Sequence, residues 1–290
     1  MTTPRRTIPS EEVWTTRRLL AWMGEAFTKK GLDSPRLLAE MLVAHVLGCD
    51  RIRLYMEADR PATPLERSAL RDLVQRALAH EPVQYLVGEA WFFALPFKVD
   101  RRVLIPRPST ETIVETVLQH ERTRHQGTAP RGEGVLIADV CTGSGCIAVA
   151  LLKNLPGARA VATDLSPDAL DVARGNAQRH GVLDRLELLP GNLLEPLRDH
   201  PVAGGAGAVD YLVSNPPYIP DHEWDADFIR PLAAHAPTLV KPGGLLLIEV
   251  AAAHADEARA LVDAAGVLTD VRVLKDVDGL PRVVVGHRAP

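Results

Sequence analysis

The chain has 290 residues, 46% of them apolar, and a formal net charge of −4. That is enough for one large domain with a smaller companion, it excludes a wholly disordered chain, and the acidic balance argues against a dedicated nucleic-acid binder with a basic face. Three cysteines, Cys49, Cys141 and Cys146, give no disulfide framework; the polar first ten residues and the short apolar run 243–254, broken by Glu249, give neither a leader nor a membrane span, so a cytoplasmic protein is expected.

Residues 11–80 read as helices. Leu37, Leu38, Met41, Leu42, His45, Val46 and Leu47 recur at helical spacing, Ser34 and Pro35 suit an N-cap with Pro in the first turn, and Gly48 suits the end. A further helix is expected from about Pro64 to His80. From 81 to 106 the residues become β-formers: Tyr85, Leu86, Val87, Trp91, Phe92, Phe93, Phe97 and Val99, broken by Gly88, Pro96 and Asp100. A hairpin joining two domains is expected there. The division is therefore a helical domain over 1–82, a hairpin linker over 83–108 and a larger domain over 109–290.

Ile105-Pro106-Arg107-Pro108 is a stiff, extended entry, and Ser109 or Thr110 can cap the following helix, with Glu111 in its first turn and an end near His120. From Val135 onward strands and helices alternate. Strands are expected at 135–140, 158–164, 186–190, 210–214 and 244–250, with helices at 145–155, 168–180, 227–239 and 253–264. This alternation means a parallel sheet covered on both faces. The last two strands, 269–274 and 282–287, are joined by only Lys275 to Gly279 and a few flanking residues, too short for a helical crossover, so they should pair antiparallel. The fold class is α/β, a Rossmann-like, mostly parallel sheet with a C-terminal antiparallel hairpin. That is the class I S-adenosylmethionine-dependent methyltransferase shape, here with a small N-terminal helical domain.

Two loops carry chemistry. Asp139-Val140-Cys141-Thr142-Gly143-Ser144-Gly145 follows a strand and opens a helix, and Asp164 stands nineteen residues after Gly145 at the end of the next strand. Glycines let a backbone approach a ligand, and an acid at that spacing can accept from two ribose hydroxyls. The same spacing fits a dinucleotide fingerprint, so this loop alone does not separate a nicotinamide enzyme from a methyltransferase. After the third strand, Asn192 is placed to bond an adenine edge and Leu193 to pack on its face. The second loop is Asn215-Pro216-Pro217-Tyr218. Two prolines remove two N–H donors and leave the Asn215 side-chain oxygen and the Pro216 carbonyl as acceptors for one planar NH2 group, with Tyr218 as a stacking face. Fixed acceptors aim the nitrogen lone pair at an electrophilic methyl without a strong base. The catalytic expectation is thus Asn215, Pro216, Pro217 and Tyr218. The cofactor expectation is S-adenosylmethionine on Asp139, Cys141, Thr142, Gly143, Ser144, Gly145, Asp164, Asn192, Leu193 and Asn215; no metal site is expected.

The chain resembles the release-factor glutamine N5-methyltransferases, the HemK/PrmC family. The resemblance runs from Ser34-Pro35-Arg36-Leu37 through Pro82 to Gly88, Val103 to Pro108, the glycine loop, Leu193 to Leu197, the Asn-Pro-Pro-Tyr loop, and Lys275-Asp276 with Arg282 to Val285. It implies a helical N-terminal domain that receives a peptide chain release factor, methylation of the glutamine in that factor's Gly-Gly-Gln motif, and no direct nucleic-acid or membrane partner. Ser109 stands where the family often has Glu, Asn192 where it usually has Asp, and only 22 residues separate Tyr218 from Lys241. The alternatives are an amino-group methyltransferase acting on a flipped nucleic-acid base and a family member weakened by the short segment after Tyr218. The first needs a basic track that Arg17, Arg18, Arg51 and Arg53 do not form.

Overall fold

A computed structural model describes residues 13–124, 131–217 and 228–289. The chain forms two compact units, residues 1–88 and 89–290. In the first, α1 (Thr16–Lys30), α2 (Pro35–Leu47), α3 (Arg51–Met56), α4 (Pro64–Leu78) and α5 (Val83–Val87) bury Met23, Phe27, Leu42, Val43, Leu54 and Val74 in a common core. A reciprocal capping box between Thr63 and Glu66, with Pro64 in the first turn, starts α4. Gly31 and Gly48 end α1 and α2 in the left-handed conformation.

Two expectations are corrected here. Ser34 has φ 52° and makes no side-chain cap, so the start of α2 rests on Pro35. Tyr85, Leu86 and Val87 are helical, not extended. Pro82 stands at the N-cap and Gly88, at φ 73°, stops the turn, while Val83 and Leu86, three apart, both face the helical core.

The second unit begins with a hairpin, β1 (Glu89–Phe92) and β2 (Leu95–Lys98), joined by the two residues Phe93 and Ala94. Both have positive φ, 49° and 58°, as the tight hairpin turn demands. After a 3-10 turn over Pro108–Thr110 come α6 (Glu111–Arg124), β3 (Leu136–Val140), α7 (Cys146–Asn154), β4 (Arg159–Asp164), α8 (Pro167–Arg179), β5 (Leu186–Pro190), α9 (Glu195–Arg198), β6 (Val209–Ser214), α10 (Arg230–Leu239), β7 (Val240–Glu249), α11 (Ala255–Ala264), β8 (Thr269–Lys275) and β9 (Pro281–His287).

Ser109 and Thr110 do not cap α6; their hydroxyls reach across to other elements. The helix runs one turn past His120. Its extension carries Glu121, fully buried, which accepts from Tyr211 Oη at 2.5 Å and Arg124 Nη1 at 2.9 Å. Both bonds fall on Oε1 and offset part of the cost of burying the carboxylate.

Seven strands form one sheet in the order β5-β4-β3-β6-β7-β9-β8. Pairs from β5 to β7 are parallel, and β9 runs antiparallel to both β7 and β8. This is the expected architecture. Every residue of β3 and β6 is buried, as central parallel strands covered on both faces require. β7 begins at Val240, earlier than expected, because its pairing with β6 shifts register between Val209 and Tyr211 and accommodates Lys241 to Gly244. The chain builds outward from β3 through β4 to β5, then returns to β6 on the opposite side. The order therefore reverses between β3 and β6, where a parallel sheet opens a crevice at its carboxyl edge.

Candidate active site

Among the described residues, those singled out by the sequence gather at the carboxyl edge of the sheet. Register pairs Val140 with Thr163 and Ser214, Asp164 with Pro190, and Ser214 with Ile248. Cys141, Asp164, Gly191, Asn215 and Glu249 consequently stand in a row at neighbouring strand ends, with Cys141 and Asn215 flanking the reversal point.

The glycine loop is held from below and from both sides. Asp139 is completely buried. Its Oδ2 accepts from Thr142 Oγ1 at 2.7 Å and from the Ala148 N–H at 3.1 Å, while no donor among the described residues reaches Oδ1. Burial pushes the carboxyl up from 3.8 to about 7. Asp139 thus buttresses the loop and the start of α7. Asp164 holds the other side, accepting from the Gly143 N–H at 2.8 Å and the Ser166 N–H at 2.9 Å, one on each oxygen. Each oxygen keeps a further lone-pair direction for a hydroxyl.

The two loop glycines serve different needs. At Gly145, φ 78°, an added Cβ would stand 3.1 Å from Ala173 Cβ, so close packing of the loop on α8 requires glycine. At Gly143, φ 54°, an added Cβ would meet no atom within 4 Å; there the backbone conformation is what selects glycine, and the loop borders open space. Ser144 is buried and presents its carbonyl to Asn176. Cys141 and Cys146 pack beside the turn as small side chains, and burial pushes both thiols up to about 12.

Cys141 has φ 62° and Leu193 φ 47°, left-handed conformations that cost a side-chain-bearing residue roughly 1–2 kcal/mol. Such strain persists where the surroundings enforce it and gathers at functional loops. For Leu193 the enforcement is visible: its carbonyl accepts from the buried Thr163 Oγ1 at 2.8 Å. Asn192 is exposed beside it, and its carbonyl closes the turn onto the Glu195 N–H.

Asn215 is half-buried at the end of β6, Pro216 is buried and Pro217 exposed; Tyr218 lies outside the described residues. Asn215 Nδ2 donates to Thr110 Oγ1 at 3.2 Å. Its Oδ1 is shielded from bulk solvent and meets no donor among the described residues. The side chain is thus anchored at its nitrogen and turns an unused acceptor elsewhere.

Sequence reasoning missed the braces around these loops. Asn176 on α8 is fully buried; its Oδ1 accepts from the Lys98 N–H at 2.7 Å, and Nδ2 donates to the carbonyls of Lys98 at 3.0 Å and Ser144 at 2.9 Å. One amide therefore staples the end of β2 to the glycine loop. A signal was present: an asparagine on the same face as Ala169, Ala173 and Ala177 is a polar group on a buried stripe. Ser109 Oγ donates to Glu249 Oε1 at 3.0 Å, and the Phe93 N–H donates to Glu111 Oε1 at 2.7 Å. Glu249, a charge in an otherwise apolar strand, was the available signal for the first of these.

Residues 18–88 match the family model described as PrmC N-terminal domain, and residues 127–279 match Methyltransferase small domain. A release factor glutamine methyltransferase of Chlorobaculum tepidum is 40% identical over 95% of this chain and 98% of its own length, and one of Geobacter sulfurreducens 38% identical over 95% and 98%. The chain belongs to the release factor glutamine methyltransferase family. Its fold is also that of a solved methyltransferase from Pyrococcus furiosus, 18% identical, with a TM-score of 0.52 over 77% of this chain and 98% of that one.

Proposed function

We propose that the chain transfers a methyl group from S-adenosylmethionine to N5 of the glutamine in the Gly-Gly-Gln motif of peptide chain release factors. The observation that carries this reading is the acceptor Oδ1 of Asn215, shielded from bulk solvent, anchored through Nδ2 and without a donor among the described residues, at the reversal point of the sheet. A shielded acceptor left open is costly unless a ligand donor completes it, at roughly 1–3 kcal/mol.

The residues present fit the cofactor. Gly143 borders open space, the loops at Cys141 and Leu193 are held in strained conformations, and Asp164 retains acceptor capacity for hydroxyls. Cys141 to Gly145, Asp164, Asn192, Leu193 and Asn215 would hold it, with Asp139 acting through the loop it supports. Bound there, S-adenosylmethionine supplies an electrophilic methyl on a sulfonium.

The chain's own residues supply position. An amide nitrogen is a weak nucleophile because its lone pair is delocalised into the carbonyl. Asn215 Oδ1 and the Pro216 carbonyl would accept the two hydrogens of the substrate amide, fix its plane and favour pyramidal nitrogen. These acceptors strengthen their hold as positive charge builds on that nitrogen. Orientation of this kind is worth up to about 7–11 kcal/mol of barrier. Tyr218 is the proposed stacking face, and the helical unit the proposed receiver of the release factor.

The test is parallel incubation of the protein and isotopically labelled S-adenosylmethionine with release factor, tRNA, rRNA and DNA. Label confined to the Gly-Gly-Gln peptide of the release factor is the expected result. Label on nucleic acid and none on the factor would overturn the proposal.

A further inference from the structure

We propose that Thr110 is a positioning residue for the methyl-transfer step, anchoring the Asn215 amide so that its oxygen faces the substrate. The inference rests on the reading of Asn215 as the acceptor for the substrate amide.

A side-chain amide has two nearly isosteric ends of opposite hydrogen-bonding sense. If Oδ1 must accept from the substrate NH2, then Nδ2 needs an acceptor on its other side. The Thr110 hydroxyl oxygen, 3.2 Å away, is that acceptor. Thr110 is 1% exposed, so water has little access to take its place. With no acceptor there, the amide gains most by turning over or swinging out, and an NH2 turned toward the substrate would set donor against donor.

The hydroxyl can anchor Asn215 only if it is itself held still. Its two neighbours do this. Ser109 Oγ donates to Glu249 Oε1 at the end of β7, and Glu111 accepts from the Phe93 N–H at the hairpin turn. Three consecutive side chains of one short segment thus reach the ends of β7 and β6 and the hairpin. The segment acts as a cross-brace whose middle member touches Asn215.

The experiment compares Thr110→Val, Thr110→Ser and Asn215→Ala in the full chain, with release factor and S-adenosylmethionine. Thr110→Val should lower kcat by about 10- to 100-fold, the scale of a misplaced reacting group or one lost polar contact. Cofactor Kd and release-factor KM should stay within about threefold, and Thr110→Ser should recover kcat to within about threefold, because the hydroxyl is kept. A structural role alone would move cofactor affinity and thermal stability with no such split and no rescue by serine. If Thr110→Val does not fold, Thr110→Ala, which adds no bulk, carries the same expectation. Wild-type kcat in the Val or Ala variant beside an inactive Asn215→Ala overturns the role of Thr110 alone, as does serine failing to rescue. Wild-type kcat in Asn215→Ala instead overturns the underlying reading of Asn215.

Discussion

The Asp139 carboxyl lies under the glycine loop with two donors, Thr142 Oγ1 and the Ala148 N–H, on one of its oxygens. Its titration moves from 3.8 to about 7 because burial disfavours the charge. Between those values the folded chain holds a proton that the unfolded chain has lost. Stability therefore falls as pH rises through this window and levels off above it, by about 1.4 kcal/mol per unit, or on the order of 4 kcal/mol in all. Asparagine mimics the protonated acid. Urea unfolding at about pH 5 and about pH 8 should show Asp139→Asn gaining on the wild type at the higher pH, and equal pH slopes for the two proteins would refute the assignment. The sequence placed an acid at the end of a strand beside a glycine turn. That placed Asp139 among the residues expected on the cofactor; the structure instead turns its carboxyl inward, onto Thr142 and the start of α7. Asp164, at the next strand end, reads more directly because it sits on the rim itself.

Among elements, the hairpin turn carries two consecutive residues with positive φ. Phe93 and Ala94 occupy left-handed conformations that favour glycine or asparagine, and the Glu111 carboxylate accepts the Phe93 N–H. Ala94 is exposed, so replacing it removes little packing. Ala94→Gly should relieve roughly 1–2 kcal/mol of strain against roughly 0.5–1 of added unfolded-chain entropy, a net gain near 0.5–1 kcal/mol. A fall in the melting temperature would contradict this. The elements of the sheet were legible because strand and helix periods alternate cleanly from Val135 onward. The failures share a cause. Tyr85 to Val87 carry β-forming side chains, yet Pro82, Gly88 and the i, i+3 contact of Val83 and Leu86 with the helical core outweigh propensity. Ser34, Ser109 and Thr110 have capping chemistry, yet Ser34 adopts a left-handed conformation and the other two find partners far away in sequence. Long-range partners leave no local trace.

The whole molecule divides at Gly88 into two units, each with a core of its own. The helical unit buries Met23, Phe27, Leu42 and Leu54 almost completely, which is the mark of a part able to fold alone. A fragment of residues 1–88 should show a helical spectrum and a cooperative thermal transition. A broad, featureless melt would show that this unit depends on the remainder of the chain. Composition shifts suggested a helical domain over 1–82, a hairpin linker over 83–108 and a larger domain over 109–290; the structure has one boundary, at Gly88, with Val83–Val87 in the helical unit and the hairpin in the second. The place of the candidate site was readable because two short loops fall at neighbouring strand ends of one sheet edge. What escaped was how those loops are cross-tied.

The Asn176 staple constrains sequence change in an uneven way. It reads only main-chain groups of Lys98 and Ser144, so the side chains at those two positions can drift without loosening it. Asn176 itself has no substitute. Aspartate cannot donate, glutamine is a methylene too long, and leucine would strand three backbone groups. Tolerance to mutation at this junction is therefore set almost wholly by a residue in neither conspicuous loop.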